Sequence, residues 1–180
     1  MEIVLIIVGV LVLICVISFI AISNGLNRAS VKVEEADSGI DVALTKRYDV
    51  LTKMMDVVKA YAKHEKETLF EVINLRKGMS VEERIQENKK MSNNFEKIQV
   101  VAEAYPELKS SENYRTLQQA IVEVEEHLQA ARRMYNANVS KFNQMLVTFP
   151  TSMIANMKGL KKKEFFQTEE VKKEDVKIDL

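Results

Sequence analysis

The chain has 180 residues, and its 26 Lys and Arg balance 26 Asp and Glu, so its formal net charge at pH 7 is zero. Lys and Arg are interspersed among Asp and Glu, so no basic patch suggests a nucleic-acid partner. The single Cys15 excludes a disulfide framework. The absence of Trp, with only two Pro and five Gly, predicts a helical protein.

The first element is a run of twenty uncharged residues, IVLIIVGVLVLICVISFIAI, at positions 3–22. A helix rises about 1.5 Å per residue, so this run spans roughly 30 Å, the thickness of a bilayer's hydrocarbon core. We expect one uncleaved transmembrane anchor here. The residues assigned to it include Ile3, Leu5, Val10, Leu13, Ile17 and Ile22.

Two other interpretations of the apolar run stay open. A cleaved signal peptide would use Ala21-Ile22-Ser23 as its cleavage site, although the residues before the run carry no basic group and the run is long for a signal. A buried helix of a soluble protein is the third possibility. If the run is an anchor, Arg28 and Lys32 just beyond it favour a cytoplasmic location for the rest of the chain.

The next element is a long helix. Apolar residues recur at steps of three and four from residue 40 to 75, which predicts one continuous helical face. Its joint with the anchor would be the weak helix-forming pair Asn24-Gly25. Gly78 is a suitable residue to follow the helix end, and Ser80 with Glu83 predicts a capping box that starts the second helix.

Two long helices and a short one complete the predicted order. The second helix covers 81–104 and ends before Pro106. A loop follows, with Ser110 or Ser111 as the N-cap of the third helix. A short fourth segment occupies 151–160. The third helix has the most regular stripe, at Tyr114, Leu117, Ile121, Val124, Leu128, Ala131, Tyr135, Asn138, Phe142, Met145 and Phe149.

These elements predict an all-α protein with a single N-terminal transmembrane helix and an antiparallel bundle of three long helices plus a short fourth. We place the anchor and its joint at 1–30, the bundle at 31–160, and a charged, disordered tail at 161–180.

The sequence offers little chemistry. The two histidines, His64 and His127, do not form the Glu-x-x-His motifs of a di-iron bundle, and no Gly-x-Ser-x-Gly or Gly-rich phosphate loop is present. We therefore predict no catalytic residue, no metal and no cofactor, and a protein that is not an enzyme.

Three polar residues interrupt otherwise apolar faces: Arg47, Glu65 and Asn138. A buried charge must be paired and hydrogen-bonded, so three interpretations stay open: these residues lie at edges of the bundle, pair with one another to fix helix register, or line a pocket for a partner or small ligand. The run Lys161-Lys162-Lys163 is either a solvated surface or a contact with anionic lipid headgroups.

Five longer segments carry a specific pattern: IDVALTKRYDVL at 40–51, VKAYAKHEKETLFEVINLR at 58–76, YPELKSSENY at 105–114, ARRMYNANVSKFN at 131–143 and FPTSMIANMKGLKKKEFF at 149–166. In this order they resemble the LemA family of bacterial membrane proteins. The similarity extends to about Glu170 and departs from the family at Ala36-Asp37, where an Ala-Trp pair is usual, and at Thr52-Lys53, where proline is usual.

The resemblance implies one N-terminal membrane span followed by an antiparallel helical bundle, and no established enzymatic activity. We expect a non-enzymatic scaffold or adaptor at the bacterial cell membrane that contacts the bilayer and unidentified proteins and that can self-associate. The alternative is a ligand- or metal-binding bundle, possibly an enzyme, with a site near Arg47, Glu65 and Asn138.

Overall fold

A computed structural model describes residues 1–61 and 70–167. Helices account for most of this part of the chain, and no strand occurs within it, so the predicted all-α class is confirmed. The helices are α1 (Glu2–Tyr61), α2 (Val81–Ala104), α3 (Pro106–Ser110), α4 (Glu112–Val147) and α5 (Thr151–Met157).

The chain divides into two compact units. The first unit combines Met1–Ile40 with Ala131–Glu164. The second unit combines Asp41–Ala130 with the described residues from Phe165 onward. Each unit has its own buried core, so we describe them separately.

In the first unit, α1 continues through Asn24 and Gly25 without a break, so the apolar run and the helix that follows it form one helix. One glycine costs a helix only about 1 kcal/mol, which the packing around it offsets. Close packing is evident because a Cβ added to Gly25 would lie 3.8 Å from Met145 Cε. The buried core of this unit contains Leu26, Ala29, Val33, Ala36, Ile40, Tyr135, Val139, Phe142, Leu146, Ile154 and Ala155.

The predicted stripe of α4 changes its register within the first unit. Val139 and Leu146 are buried, whereas Asn138 and Met145 are only half-buried and Phe149, beyond the helix end, is 77% exposed. The prediction used the 3.5-residue period of a coiled coil. A straight helix has 3.6 residues per turn, and the difference of about 20° per heptad accumulates along α4, which favours Val139 and Leu146 over Asn138 and Met145 on the buried side.

The second unit has a core of apolar side chains from α1, α2, α3 and α4. Both predicted N-caps in this unit are present: Ser80 and Glu83 form the capping box of α2, and Ser111 Oγ accepts the N–H of Tyr114 in the first turn of α4. The buried members of the second unit's core include Leu51, Met54, Val58, Ile73, Met91, Ile98, Val101, Ala102, Leu108, Tyr114 and Ile121.

Helices α1 and α2 run in the same direction within the second unit. Asp41 of α1 pairs with Arg84, and Arg47, six residues later, reaches Asn88 and Ser92. The sequence analysis expected consecutive helices to be antiparallel. That expectation does not hold for α1 and α2. The described part of the connection between them, residues 70–76, itself runs back along α2.

This returning connection is extended between residues 70 and 76, where the sequence predicted continued helix up to residue 75. Val72 is 74% exposed while Ile73 is 9% exposed, as expected for the two-residue alternation of an extended chain. Hydrogen bonds to side chains of α2 override the helical periodicity here. The predicted helical residues 62–69 lie outside the described part of the chain.

The described start of the predicted tail is held in place. The backbone of Lys163 is hydrogen-bonded at both its N–H and its carbonyl, and Phe166 is 1% exposed. Ordered structure therefore extends past the predicted boundary at residue 160. The rest of that predicted tail, 168–180, lies outside the described residues.

Candidate functional site

Arg47 lies at the centre of a polar cluster in the second unit. Its side chain is 5% exposed and contacts α2 and α4. Nε donates to Glu125 Oε1 at 2.6 Å, Nη1 donates to the Asn88 carbonyl at 3.0 Å and to Asn88 Oδ1 at 2.5 Å, and Nη2 donates to Ser92 Oγ at 3.2 Å. All three guanidinium nitrogens therefore have partners within the unit.

Burial lowers the pKa of Arg47, and the charge and hydrogen bond of Glu125 act in the opposite direction. Arginine stays protonated in proteins, so the cluster holds a cation that is neutralised by a carboxylate at 34% exposure. This arrangement fits the register-setting interpretation of Arg47, because it joins α1, α2 and α4 at one level.

A row of polar residues on α2 extends this cluster. Arg84 is 4% exposed, Glu87 is 8% exposed and Asn94 is fully buried. Arg84 Nη1 donates to Asp41 Oδ1 at 2.8 Å. The row lies on the same face of α2 as the buried Met91. The N-terminal half of that buried face is therefore largely polar.

The polar row holds the extended segment at 70–76. Asn94 Oδ1 accepts the N–H of Glu71 at 2.8 Å, and Asn94 Nδ2 donates to the carbonyl of Glu71 at 2.9 Å. Glu87 Oε2 accepts the N–H of Asn74 at 2.7 Å. These side chains provide partners that a neighbouring strand would otherwise supply to an extended backbone.

Glu87 also has a displaced pKa. Burial raises the pKa of its carboxyl, but the hydrogen bonds from Lys90 Nζ and from the N–H of Asn74 have the larger, opposite effect, so the pKa of Glu87 lies below its ordinary value. The carboxylate is therefore ionised at neutral pH and accepts both bonds.

The first unit contains a similar arrangement. Asn143 of α4 donates to the carbonyl of Lys163 and accepts its N–H, both at 2.9 Å. Tyr135 Oη donates to the carbonyl of Glu164 at 3.0 Å. Side chains of α4 thereby form hydrogen bonds with the backbone of residues 163 and 164.

The structure describes two of the three predicted polar residues, each within its own unit. Arg47 belongs to the second unit, and Asn138 is a half-buried residue of the first unit. Glu65 lies outside the described residues. The residues that do accompany Arg47 are Asn88, Ser92 and Glu125.

The polar row of α2 was not among the candidate residues predicted from the sequence. A signal was present, since steps of three and four lead from Arg84 through Glu87, Met91 and Asn94 to Ile98. No group of three or more His, Cys, Asp or Glu side chains suited to a metal ion occurs among residues 1–61 and 70–167.

The predicted anchor residues lie on the N-terminal part of α1. That helix is long and apolar enough to cross a membrane, and its most apolar stretch is not buried in the protein. Large apolar side chains from Ile3 to Ile20 are each 44–74% exposed. Ile22, at the end of the predicted span, is half-buried.

Comparison with known proteins identifies the family. A model of the LemA family matches residues 36–180. Protein LemA of Metamycoplasma hominis is 30% identical over 166 residues, which cover 88% of this chain and 74% of the relative. The matches to magnetosome proteins are shorter. MamQ 2 of Paramagnetospirillum magneticum is 31% identical over 71 residues, and MamQ of Magnetospirillum gryphiswaldense is 24% identical over 70 residues.

Each magnetosome match covers 39% of this chain and 26% of the relative, so these matches indicate a shared segment. The family model and the Metamycoplasma relative together cover most of the chain. The matched part includes Asn143, which hydrogen-bonds to the backbone of Lys163, and the cluster around Arg47. The chain belongs to the LemA family.

Proposed function

We propose that this chain is a single-pass, membrane-anchored, non-enzymatic scaffold of the bacterial cell membrane, with most of its residues in the cytoplasm. The observation that carries the proposal is the exposed apolar surface of α1 between Ile3 and Ile20. Burying one large aliphatic side chain gains about 1.5–3 kcal/mol, so a bilayer is the favourable environment for a surface that no part of the unit covers.

The anchor helix is also a core helix of the first unit. Leu26, Ala29 and Val33 follow the predicted span on the same helix and are buried in that unit. A scaffold benefits from this continuity, because the membrane helix leads directly into packed structure without a flexible linker. The basic residues Arg28 and Lys32 support the cytoplasmic side.

The alternative of a ligand site near Arg47 has less support. The guanidinium nitrogens of Arg47 already donate to Glu125, Asn88 and Ser92, so a ligand would have to displace bonds that hold three helices together. The proposal therefore gives Arg47 a structural role.

Membrane anchoring is tested by a triple substitution in the full chain, Val10→Arg, Leu13→Arg and Ile17→Arg. Each arginine near the middle of a span costs about 2.5–3.5 kcal/mol, so three offset most of the gain from the remaining apolar residues. We expect alkaline extraction to release this variant from bacterial membranes. The matched variant Val10→Leu, Leu13→Ile and Ile17→Val should stay in the membrane pellet. Release of both variants, or of neither, would contradict an anchor at 3–22.

The side of the membrane is tested with one exposed cysteine. Glu112→Cys in a Cys15→Ser background places a thiol on an exposed residue at the start of α4. We expect a membrane-impermeant maleimide to label it only after spheroplasts are lysed. Labelling of intact spheroplasts would place the domain outside the cytoplasm.

The scaffold role is tested by proximity labelling from Leu180, with the native chain and with Arg47→Met. The substitution should cost about 1–3 kcal/mol of unfolding free energy, less than a fully buried ion pair, because the exposed part of Glu125 regains water. We expect a lower melting temperature and the same labelled neighbours at a permissive temperature. An unchanged melting temperature with lost neighbours would favour a ligand or partner site at Arg47.

A further inference from the structure

The end of α4 and the helix α5 expose an apolar surface that the fold does not explain. Val147 is 62% exposed, Phe149 77%, Met153 60% and Met157 77%. On the inner side of α5, Ile154 and Ala155 are buried. The segment is therefore apolar on its outer as well as its inner side. We call residues 147–162 the α5 tip.

Two contacts within the first unit fix the level of the α5 tip along α1. The position of a Cβ on Gly25 is 3.8 Å from Met145 Cε, just before the tip. Lys158 Nζ, within the tip, donates to Asn27 Oδ1 at 3.0 Å. Gly25 and Asn27 lie only about 4.5 and 7.5 Å beyond Ile22 along the helix axis.

This level corresponds to the headgroup layer when residues 3–22 fill the hydrocarbon core. A bilayer of about 40–45 Å has a core of about 30 Å, which leaves several ångström of headgroup region on each side. The tip therefore lies at a level just beyond the exposed apolar surface of α1, at the depth where amphipathic segments bind membranes.

The charges of the tip suit an anionic surface. Lys158, Lys161 and Lys162 are exposed, and no acidic residue occurs between Lys141 and Glu164. Acidic residues are absent from the whole stretch 127–163, so the tip carries positive charge only. Lysines near a membrane are attracted to anionic lipid phosphates.

We propose that the α5 tip is a second membrane contact, in which Phe149, Met153 and Met157 enter the headgroup layer of the leaflet that α1 leaves. Lys158, Lys161 and Lys162 then face the phosphates of anionic lipids. The inference rests on the proposed anchor at 3–22. It adds a lipid-binding surface that is separate from the span and that fixes the tilt of the first unit on the membrane.

The test uses the full chain in vesicles of phosphatidylcholine and phosphatidylglycerol, with an environment-sensitive fluorophore on a single cysteine. The reporter is Phe149→Cys in a Cys15→Ser background, and a second reporter is Met157→Cys. The matched control is Met134→Cys, because Met134 is also apolar and 64% exposed but lies about 16 Å along α4 from Met145. Lipids with a nitroxide near the headgroup serve as quenchers.

We expect loss of most of the emission at positions 149 and 157, and little loss at position 134. Replacing Lys158, Lys161 and Lys162 by Gln should reduce the quenching at position 149, as should vesicles of phosphatidylcholine alone. Water-like, unquenched emission at both tip positions would overturn the proposal and would leave a protein partner as the occupant of this surface.

Native Cys15 separates failure of this proposal from failure of the anchor. A fluorophore on Cys15 should be quenched by lipids with a nitroxide deep in the acyl chain. Quenching at Cys15 without quenching at the tip overturns the α5 contact and leaves the anchor intact. Absence of quenching at both positions overturns the anchor, and with it the premise of the α5 contact.

Discussion

Two asparagines, one in each compact unit, make the same pair of hydrogen bonds to an extended stretch of backbone. Asn94 of α2 binds the N–H and carbonyl of Glu71, and Asn143 of α4 binds the N–H and carbonyl of Lys163. We call each arrangement an Asn clasp. The geometry is nearly identical, but Asn94 is fully buried and Asn143 is half-buried.

The similarity shows how an all-α protein can hold extended segments against helices. A primary amide carries one acceptor and two donors, so it can satisfy both polar groups of one residue as a neighbouring strand would. The two clasps differ in their burial and in the second side chain that hydrogen-bonds to the same backbone segment. The second unit adds the carboxylate of Glu87, whereas the first unit adds the neutral hydroxyl of Tyr135.

The largest expected effect follows from removing the buried clasp. Asn94→Ala leaves the N–H and the carbonyl of Glu71 without their partners, and each unsatisfied buried group costs about 1–3 kcal/mol. We expect a loss of about 2–4 kcal/mol in the unfolding free energy of the full chain in detergent micelles, measured by denaturant titration. Hydrogen exchange at the amide of Glu71 should accelerate in the same variant.

Asn94→Asp provides the control for shape. It retains an acceptor for the N–H of Glu71 but loses the donor to its carbonyl, and it adds a charge where the side chain is fully buried. Its loss of stability should be similar to that of Asn94→Ala. A stability equal to the native value in either variant would show that the clasp adds nothing to the fold.

A smaller effect is expected from the second clasp. Asn143→Ala removes two hydrogen bonds from a half-buried site, where water can replace part of what is lost. We expect a loss of about 0.5–1.5 kcal/mol by the same titration, with faster exchange confined to the amide of Lys163. A loss equal to that of Asn94→Ala would mean that burial does not explain the difference between the clasps.

The sequence predicted the elements whose signals are local. The apolar run at 3–22, the capping box at Ser80 and the N-cap at Ser111 each depend on residues within a few positions, and the structure contains the elements they predict. The extended course of 70–76 could not be read in this way. It depends on Glu87 and Asn94, whose partners Asn74 and Glu71 lie 13 and 23 residues away.

The cluster around Arg47 shows the same limit of prediction from local sequence. Arg47 was identified because a charge on an apolar face is a local anomaly, but its partner Glu125 is 78 residues away. The idealised period placed Asn138 on the apolar stripe of α4, whereas the structure has Val139 buried there and Asn138 half-buried. Local pattern therefore finds unusual residues, and only the tertiary structure shows what they bind.

The smallest expected effect is a dependence on pH that only the second unit should show. The folded pKa of the Glu87 carboxyl lies below its ordinary value, because burial raises it less than the hydrogen bonds from Lys90 and the Asn74 N–H lower it. Its contribution is therefore complete above the unfolded pKa and is lost as the pH falls through the folded pKa. Glu87→Gln keeps an acceptor for Asn74 without a titrating group.

We expect Glu87→Gln to be less stable than the native chain by about 1 kcal/mol at pH 7, and the difference to shrink once the pH is well below 4.5. Hydrogen-exchange protection, corrected for the intrinsic rate at each pH, should fall with acid at the Asn74 amide of the native chain. At the Lys163 amide, clasped by Asn143 without a carboxylate, protection should change less. Equal acid sensitivity at both amides would show that the carboxylate is not what distinguishes the two clasps.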